Sequence, residues 1–290
     1  MQAALVDLLK ANRQLRTFTI GYATISGKTQ LVADLPRGLL SPFEQFISAK
    51  YPDVRVRRER ELNPIQGNVW HQTLWITPDI QPLRLHDAFQ DHQIRNFADP
   101  VATLLEAVAP KLGIDGRILL HVTPARFLDR WVNRRVLQRL SNPIWETRTI
   151  LADMYADWAN GPWWKRVCVI PVALFVGRRP VAQRLAICEQ KLCEPLVRVA
   201  ISIEARGERA TDRELKKRLA LLMGALGQFA EPGRVTFGST SPRRGADQPG
   251  RRSLLSVPEL ASLWHAPTDT VQTPSLARPA YRQLPPPVEL

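Results

Sequence analysis

The sequence predicts an α+β fold: antiparallel or mixed sheets with packed helices, arranged as split βαβ, ferredoxin-like units, plus a helical insertion and an extended Pro-rich C-terminal tail. Three observations lead there. Stretches that alternate apolar and polar residues, as half-buried strands do, are interleaved with stretches whose apolar residues recur every three to four positions, as on one face of a helix. Hydrophobic residues make up 44% of the 290, enough for a core without disulfide staples. Between two such α+β stretches lies a tryptophan-rich helical pattern that interrupts the strand rhythm.

Taken in order, RTFTIGYATI from Arg16 to Ile25 alternates through Phe18, Ile20 and Tyr22, and SGK turns it into a second strand, TQLVADL. Ser41 as N-cap and Pro42 at the first helical position open a helix over SPFEQFISAKYP that ends near Tyr51. DVRVRRER and VWHQTLWIT read as strands. Asp99 as N-cap and Pro100 at the first position start a helix striped by Val101, Leu104, Leu105 and Val108, and GRILLHVTP follows as a buried strand. After the insertion, PVAQRLAICEQKL reads as a helix and LVRVAISIEARG as a strand. Thr211 and Glu214 form a capping box for the next helix, RVTFGST is a strand, and Ser256 with Glu259 caps a helix of about two turns. The resulting division is a first α+β unit over 1–123, a helical and apolar connector over 124–177, a second α+β unit over 178–240, a basic mobile loop over 241–253, a short helix over 254–267 and a linker-like tail over 268–290.

The formal net charge is +13, which favours polyanionic partners, either nucleic acid or an acidic membrane surface. Basic residues cluster at Arg55, Arg57, Arg58 and Arg60, at Arg130, Arg134, Arg135 and Arg139 on one helical side, and at Arg213, Lys216 and Lys217 on another. A solvated helix face is the plainer reading of these clusters, and direct DNA contact the alternative. The run WWKRVCVIPVALFVGRRP, with cations and tryptophans at its ends, has the form of an interfacial anchor, so 163–179 is a candidate contact with the inner face of the cell membrane. A buried element between the two halves is the simpler reading. The apolar run within it is too short to span a bilayer. The N-terminus lacks the order of charge and apolar run that marks a secretory signal. Cys168, Cys188 and Cys193 have no CxxC spacing and read as reduced thiols of a cytoplasmic protein.

Chemical motifs are sparse. GYATISGKT approaches a phosphate-binding loop, but five residues rather than four separate Gly21 from Gly27, and Pro36 falls where a helix from Lys28 would run. A hairpin turn with Lys28 exposed fits better than an NTPase using GKT at 27–29. The five histidines, His71, His86, His92, His121 and His265, are scattered, and the local group His86, Asp87, Asp91, His92 reads as a solvated loop. Pro78-Asp79 has no ExK partner at nuclease spacing, because EQK begins only at Glu189. No catalytic residue, cofactor or metal site is expected, and the chain reads as a non-enzyme.

Several segments, in order along most of the chain, resemble the domain that precedes the motor in HerA-like and FtsK-like ATPases of bacterial type IV secretion and conjugative DNA transfer. They are KTQLVADLPRGLLSPFEQFISAKYPDVRV, FADPVATLLEAVAPKL with RILLHVTPA, CEQKLCEPLVRVAISIEARG, LGQFAEPGRVTFG and LLSVPELASLWHAPTDTVQTPSLARPAYRQLPPP. In that family the last segment leads into the ATPase with its phosphate-binding loop, whereas this chain stops at Leu290. The resemblance therefore implies an accessory domain without its motor, encoded separately or left by a split gene, with no catalytic residues to carry over. Its expected partner is a separately encoded hexameric ATPase. Leu260, Leu263, Trp264, Pro285, Pro286 and Pro287 are the candidate docking residues; the helix from Ser256 to His265 is expected to pack against the domain, with Trp264 anchored in an apolar groove and His265 as its surface neighbour. A stand-alone basic DNA-binding accessory protein is the alternative.

Overall fold

Phe18–Ile25 (β1) and Lys28–Asp34 (β2) pair as a hairpin in which Ile25 faces Lys28. Ser26 and Gly27 both take positive φ, the conformation a two-residue turn needs to match the right-handed twist of its strands. GYATISGKT is thus a strand and its turn, with Lys28 exposed and no helix after it. Gly21 owes its identity to packing: a Cβ there would collide with the carbonyl oxygen of Ile118 on the neighbouring strand. Gly21→Ala is expected to cost about 1–3 kcal/mol, the usual penalty for overpacking a filled interior, measured as a lower urea midpoint.

The computed structural model describes residues 1–12, 14–51, 54, 56–58, 67–89, 99–125, 187–231, 234–245, 250–267, 271 and 276. The remaining strands are Asn68–Thr77 (β3), Asp115–Pro124 (β4), Leu196–Gly207 (β5), Thr236–Ser239 (β6), Arg243–Arg244 (β7) and Ser253–Ser256 (β8). They form one eight-stranded sheet in the order β2-β1-β4-β5-β3-β6, with β7 on β3 and β8 on β5. Every strand pairing is antiparallel. The first and second α+β stretches meet at its centre, where ten residues of β4 run against β5. The free edge of β5 is divided, β3 taking Ile201 to Gly207 and β8 taking Leu196 to Val199.

Among the described residues the helices are Gln2–Ala11 (α1), Arg37–Lys50 (α2), Pro100–Val108 (α3), Asp212–Gly227 (α4) and Val257–Leu263 (α5), with a further helical stretch over 187–193. α3 and α4 lie on the sheet and against each other. Their stripes, Val101, Leu104, Leu105 and Val108 with Leu215, Leu219 and Leu222, are buried with Ile20, Ile118, Ile201 and Ile203 in a single core. Caps at Asp99, whose side chain accepts from the Val101 amide, and at Thr211 with Glu214 form as the sequence reading requires. Arg218, buried in the same layer, donates to the Ala109 carbonyl just past α3. Burial pulls its guanidinium below the usual arginine range.

Four local expectations change. α2 begins at Arg37, directly after Pro36, so Pro42 lies inside the helix; burying Leu39 in the core, in addition to Ile47, outweighs the one backbone hydrogen bond that Pro42 cannot make. Val54, Val56, Arg57 and Arg58 form no strand, and both valines are exposed, so no apolar face recruits them to the sheet. Arg243 and Arg244 in the basic segment pair with β3 at His71 and Trp70. Finally, Val271 is buried in the core and Leu276 bridges Thr29 of β2, so the strip beyond Pro267 is attached to the domain at both of its described positions. Residues 126–186, which hold all but the first two positions of the connector predicted over 124–177 and Cys168 with it, lie outside the described residues.

Candidate functional site

The segment from β8 to Leu276 is fastened by polar contacts in addition to apolar burial. β8 adds to β5, and the Val257 amide donates to Pro195 O. Ser256 and Glu259 form the predicted capping box for α5. Beyond the helix, Trp264 is 2% exposed and its indole N–H donates to the Gly21 carbonyl at 3.0 Å. The neighbouring Tyr22 hydroxyl accepts from the His265 amide at 3.1 Å and donates to the His265 carbonyl at 3.3 Å. Burial, joined by the negative charge of Asp99, holds the Tyr22 phenol well above its ordinary range. Two consecutive residues of β1 therefore grip two consecutive residues of this latch.

A second fastening is ionic. Lys191 and Glu259 are paired at 3.0 Å with side chains 2% and 0% exposed. The ammonium also donates to Asp79 O and Gln81 O, using its three protons. Glu259 also accepts from the Leu83 and Ser256 amides. The pair ties α5 to the helical stretch at 187–193 and to the loop after β3.

Leu260, Leu263 and Trp264 are members of this domain's own core and offer no surface to a partner, contrary to the expectation that they dock one. Their apolar stripe is already satisfied by α1 and the sheet. Pro285, Pro286 and Pro287 lie outside the described residues. His265 is buried rather than a surface neighbour: its Nε2 lies 3.0 Å from Asp99 Oδ1 and its Nδ1 3.0 Å from Ala261 O. His86, placed by sequence in a solvated loop, opens a 3-10 turn over His86–Phe89 and stands edge-on to His265 with ring centroids 5.0 Å apart.

Among the described residues the predicted basic clusters form no single patch. Arg58 makes a two-pronged contact with Glu44, which holds the Glu44 carboxyl below its usual range. Arg57 is exposed, and Arg55, Arg130, Arg134 and Arg135 lie outside the described residues. Arg213, Lys216 and Lys217 are exposed on α4 but interleaved with Asp212 and Glu214. Lys216 sits 4.4 Å over the Trp70 ring, and Asp212 accepts from Trp70 and Arg244. This face is one of mixed sign.

A depression of about 720 Å³ opens between the β1–β2 turn, Leu112-Gly113 and the β5–α4 connection. Arg117, Arg206 and Arg209 line it together with Asp115, Glu208 and Glu214. Arg117 is 6% exposed, and its guanidinium is pulled down to about 10 by burial and by the positive charge of Arg206. Burial raises the Asp115 carboxyl. A lining of three arginines and three carboxylates gives the depression no strong preference for either sign of ligand.

Among the described residues no helix is long and apolar enough to cross a membrane, and 163–179 lies outside them. No family model matches this chain, and no curated protein or solved structure matches it either.

Proposed function

We propose that this chain is a non-enzymatic assembly domain of a DNA-translocating ATPase system of the conjugation or type IV secretion class, docking onto or regulating a hexameric motor. The observation that supports the reading is the latch. The segment with the strongest resemblance to the pre-motor domain is welded to the sheet by β8, the capping box, the Lys191–Glu259 pair and the Gly21–Tyr22 grip. A linker that only spanned space would not need those buried partners. Fixed at Leu276 beside β2, the strip has a defined point of attachment from which residues 277–290 follow, and their Pro285-Pro286-Pro287 run is of the extended kind that partners bind at low entropic cost.

The test is co-purification of the full chain with a type IV secretion class ATPase encoded beside it. A variant lacking 277–290, which spares Val271 and Leu276, is compared with it. The expected result is a complex weakened at least about tenfold by the deletion, equivalent to 1.4 kcal/mol. Failure of the full chain to bind the ATPase overturns the reading.

A further inference from the structure

Three structural elements bring His86, Asp99 and His265 together, with one ligand atom from each lying within 4.8 Å of the others. Asp99 precedes α3, His265 follows α5 166 positions later, and His86 starts the 3-10 turn. Two of the three are buried, the side chains of Asp99 and His265 being 1% and 10% exposed, and His86 is half-buried.

The proton inventory of His265 bears on what this cluster holds. Ala261 O can only accept, so the contact at Nδ1 places a proton there. A neutral ring has one such proton, which leaves a bare Nε2 facing a carboxylate oxygen at 3.0 Å. That contact is attractive if the ring carries a second proton or if a cation bridges the two atoms. The second arrangement matches how metal-binding histidines are built, with the remote N–H donated to a backbone carbonyl so that tautomer and ring direction are set. Two ligands each about 2.0–2.2 Å from a tetrahedral zinc ion lie about 3.3–3.6 Å apart, so the 3.0 Å spacing of Asp99 and His265 opens by a few tenths of an ångström to admit one. The His86 ring, edge-on at 82°, supplies the third donor.

We propose that His86, Asp99 and His265 bind one divalent transition-metal ion of the zinc class through an N2O donor set, with water completing the shell. The ion pins the end of the latch to the start of α3. The donor types suit zinc over magnesium or calcium, which take oxygen ligands almost alone.

The experiment is calorimetric titration of Zn2+ into the chelator-treated full chain, together with His86→Ala and Asp99→Asn. Asparagine is as good an N-cap as aspartate, so Asp99→Asn removes the charge and keeps the cap of α3. Wild type is expected to bind one Zn2+ per chain and to melt at a higher temperature with it. Each variant, folded by circular dichroism, is expected to lose at least the roughly 10–100-fold in affinity that even supporting partners of a metal ligand contribute. Should Asp99→Asn fail to fold, His86→Ala decides. No saturable one-to-one binding by wild type, or undiminished binding by the folded variants, overturns the proposal and leaves an imidazolium–carboxylate pair.

Discussion

Glu259→Ala is expected to lower the unfolding free energy by about 3–5 kcal/mol, because it leaves Lys191 buried and charged without its counter-ion. Burial is nearly complete on both sides of the pair, so water cannot screen the loss, and the amides of Leu83 and Ser256 lose their acceptor as well. Lys191→Met is expected to be comparably harmful, since it strands the carboxylate and removes the donor to Asp79 O and Gln81 O. The double variant Lys191→Met with Glu259→Ala removes both charges, and is expected to lose less than the sum of the two single changes. Equilibrium urea denaturation of the four proteins checks this. Additive losses in the double variant would show that the two residues act independently.

Trp264→Ala is expected to cost about 3–5 kcal/mol, the range for emptying a large aromatic site in a core. The indole is enclosed by the core cluster and stacked obliquely near Phe43 at 6.3 Å between ring centroids. Trp264→Phe retains most of that contact and loses the bond to Gly21 O, with an expected cost of about 1 kcal/mol from the hydrogen bond plus that of the smaller ring. Native-state hydrogen exchange gives the sharper readout. If Trp264 locks the latch, the amides of α5 exchange faster in the alanine variant than those of α3, because a local opening precedes global unfolding. Uniform acceleration across both helices would show instead that the latch has no opening of its own.

The chain's local chemistry was legible where one short stretch carries both partners of an interaction. The turn at Ser26-Gly27, the Asp99 cap with Pro100, and the Thr211–Glu214 and Ser256–Glu259 capping boxes each involve residues within three positions of one another. The stripes of α3 and α4 follow from helical periodicity alone, and so does the α+β class. Where a boundary depended on distant packing it shifted, as at α2, whose first turn is held by burial of Leu39. The basic segment near Arg243 reads as a loop by composition, yet β3 offers it a free edge.

The candidate site was far less legible. His86 and His265 read as two of five scattered histidines, and Asp99 as a helix cap only; a cap residue facing two histidines has no signature in a linear pattern. Trp264 is a middle case: its packing against this domain is visible in the sequence, but which element receives it depends on what stands opposite. Here Gly21, 243 positions away, stands opposite, and the absence of a side chain at that glycine lets β1 lie close against β4.

By itself the sequence determined the caps, the hairpin turn, the helical stripes and the fold class, because these arise from steric and hydrogen-bonding preferences that act over a few residues. Only the tertiary structure decided that β4 and β5 join the two α+β stretches in one sheet, that Leu260 and Leu263 face inward, that Trp264 meets Gly21, and that His86, Asp99 and His265 share a site. Those outcomes come from apolar surfaces and buried polar groups finding partners on other elements, and the identity of the partner is set by how the whole sheet and its helices close around the core.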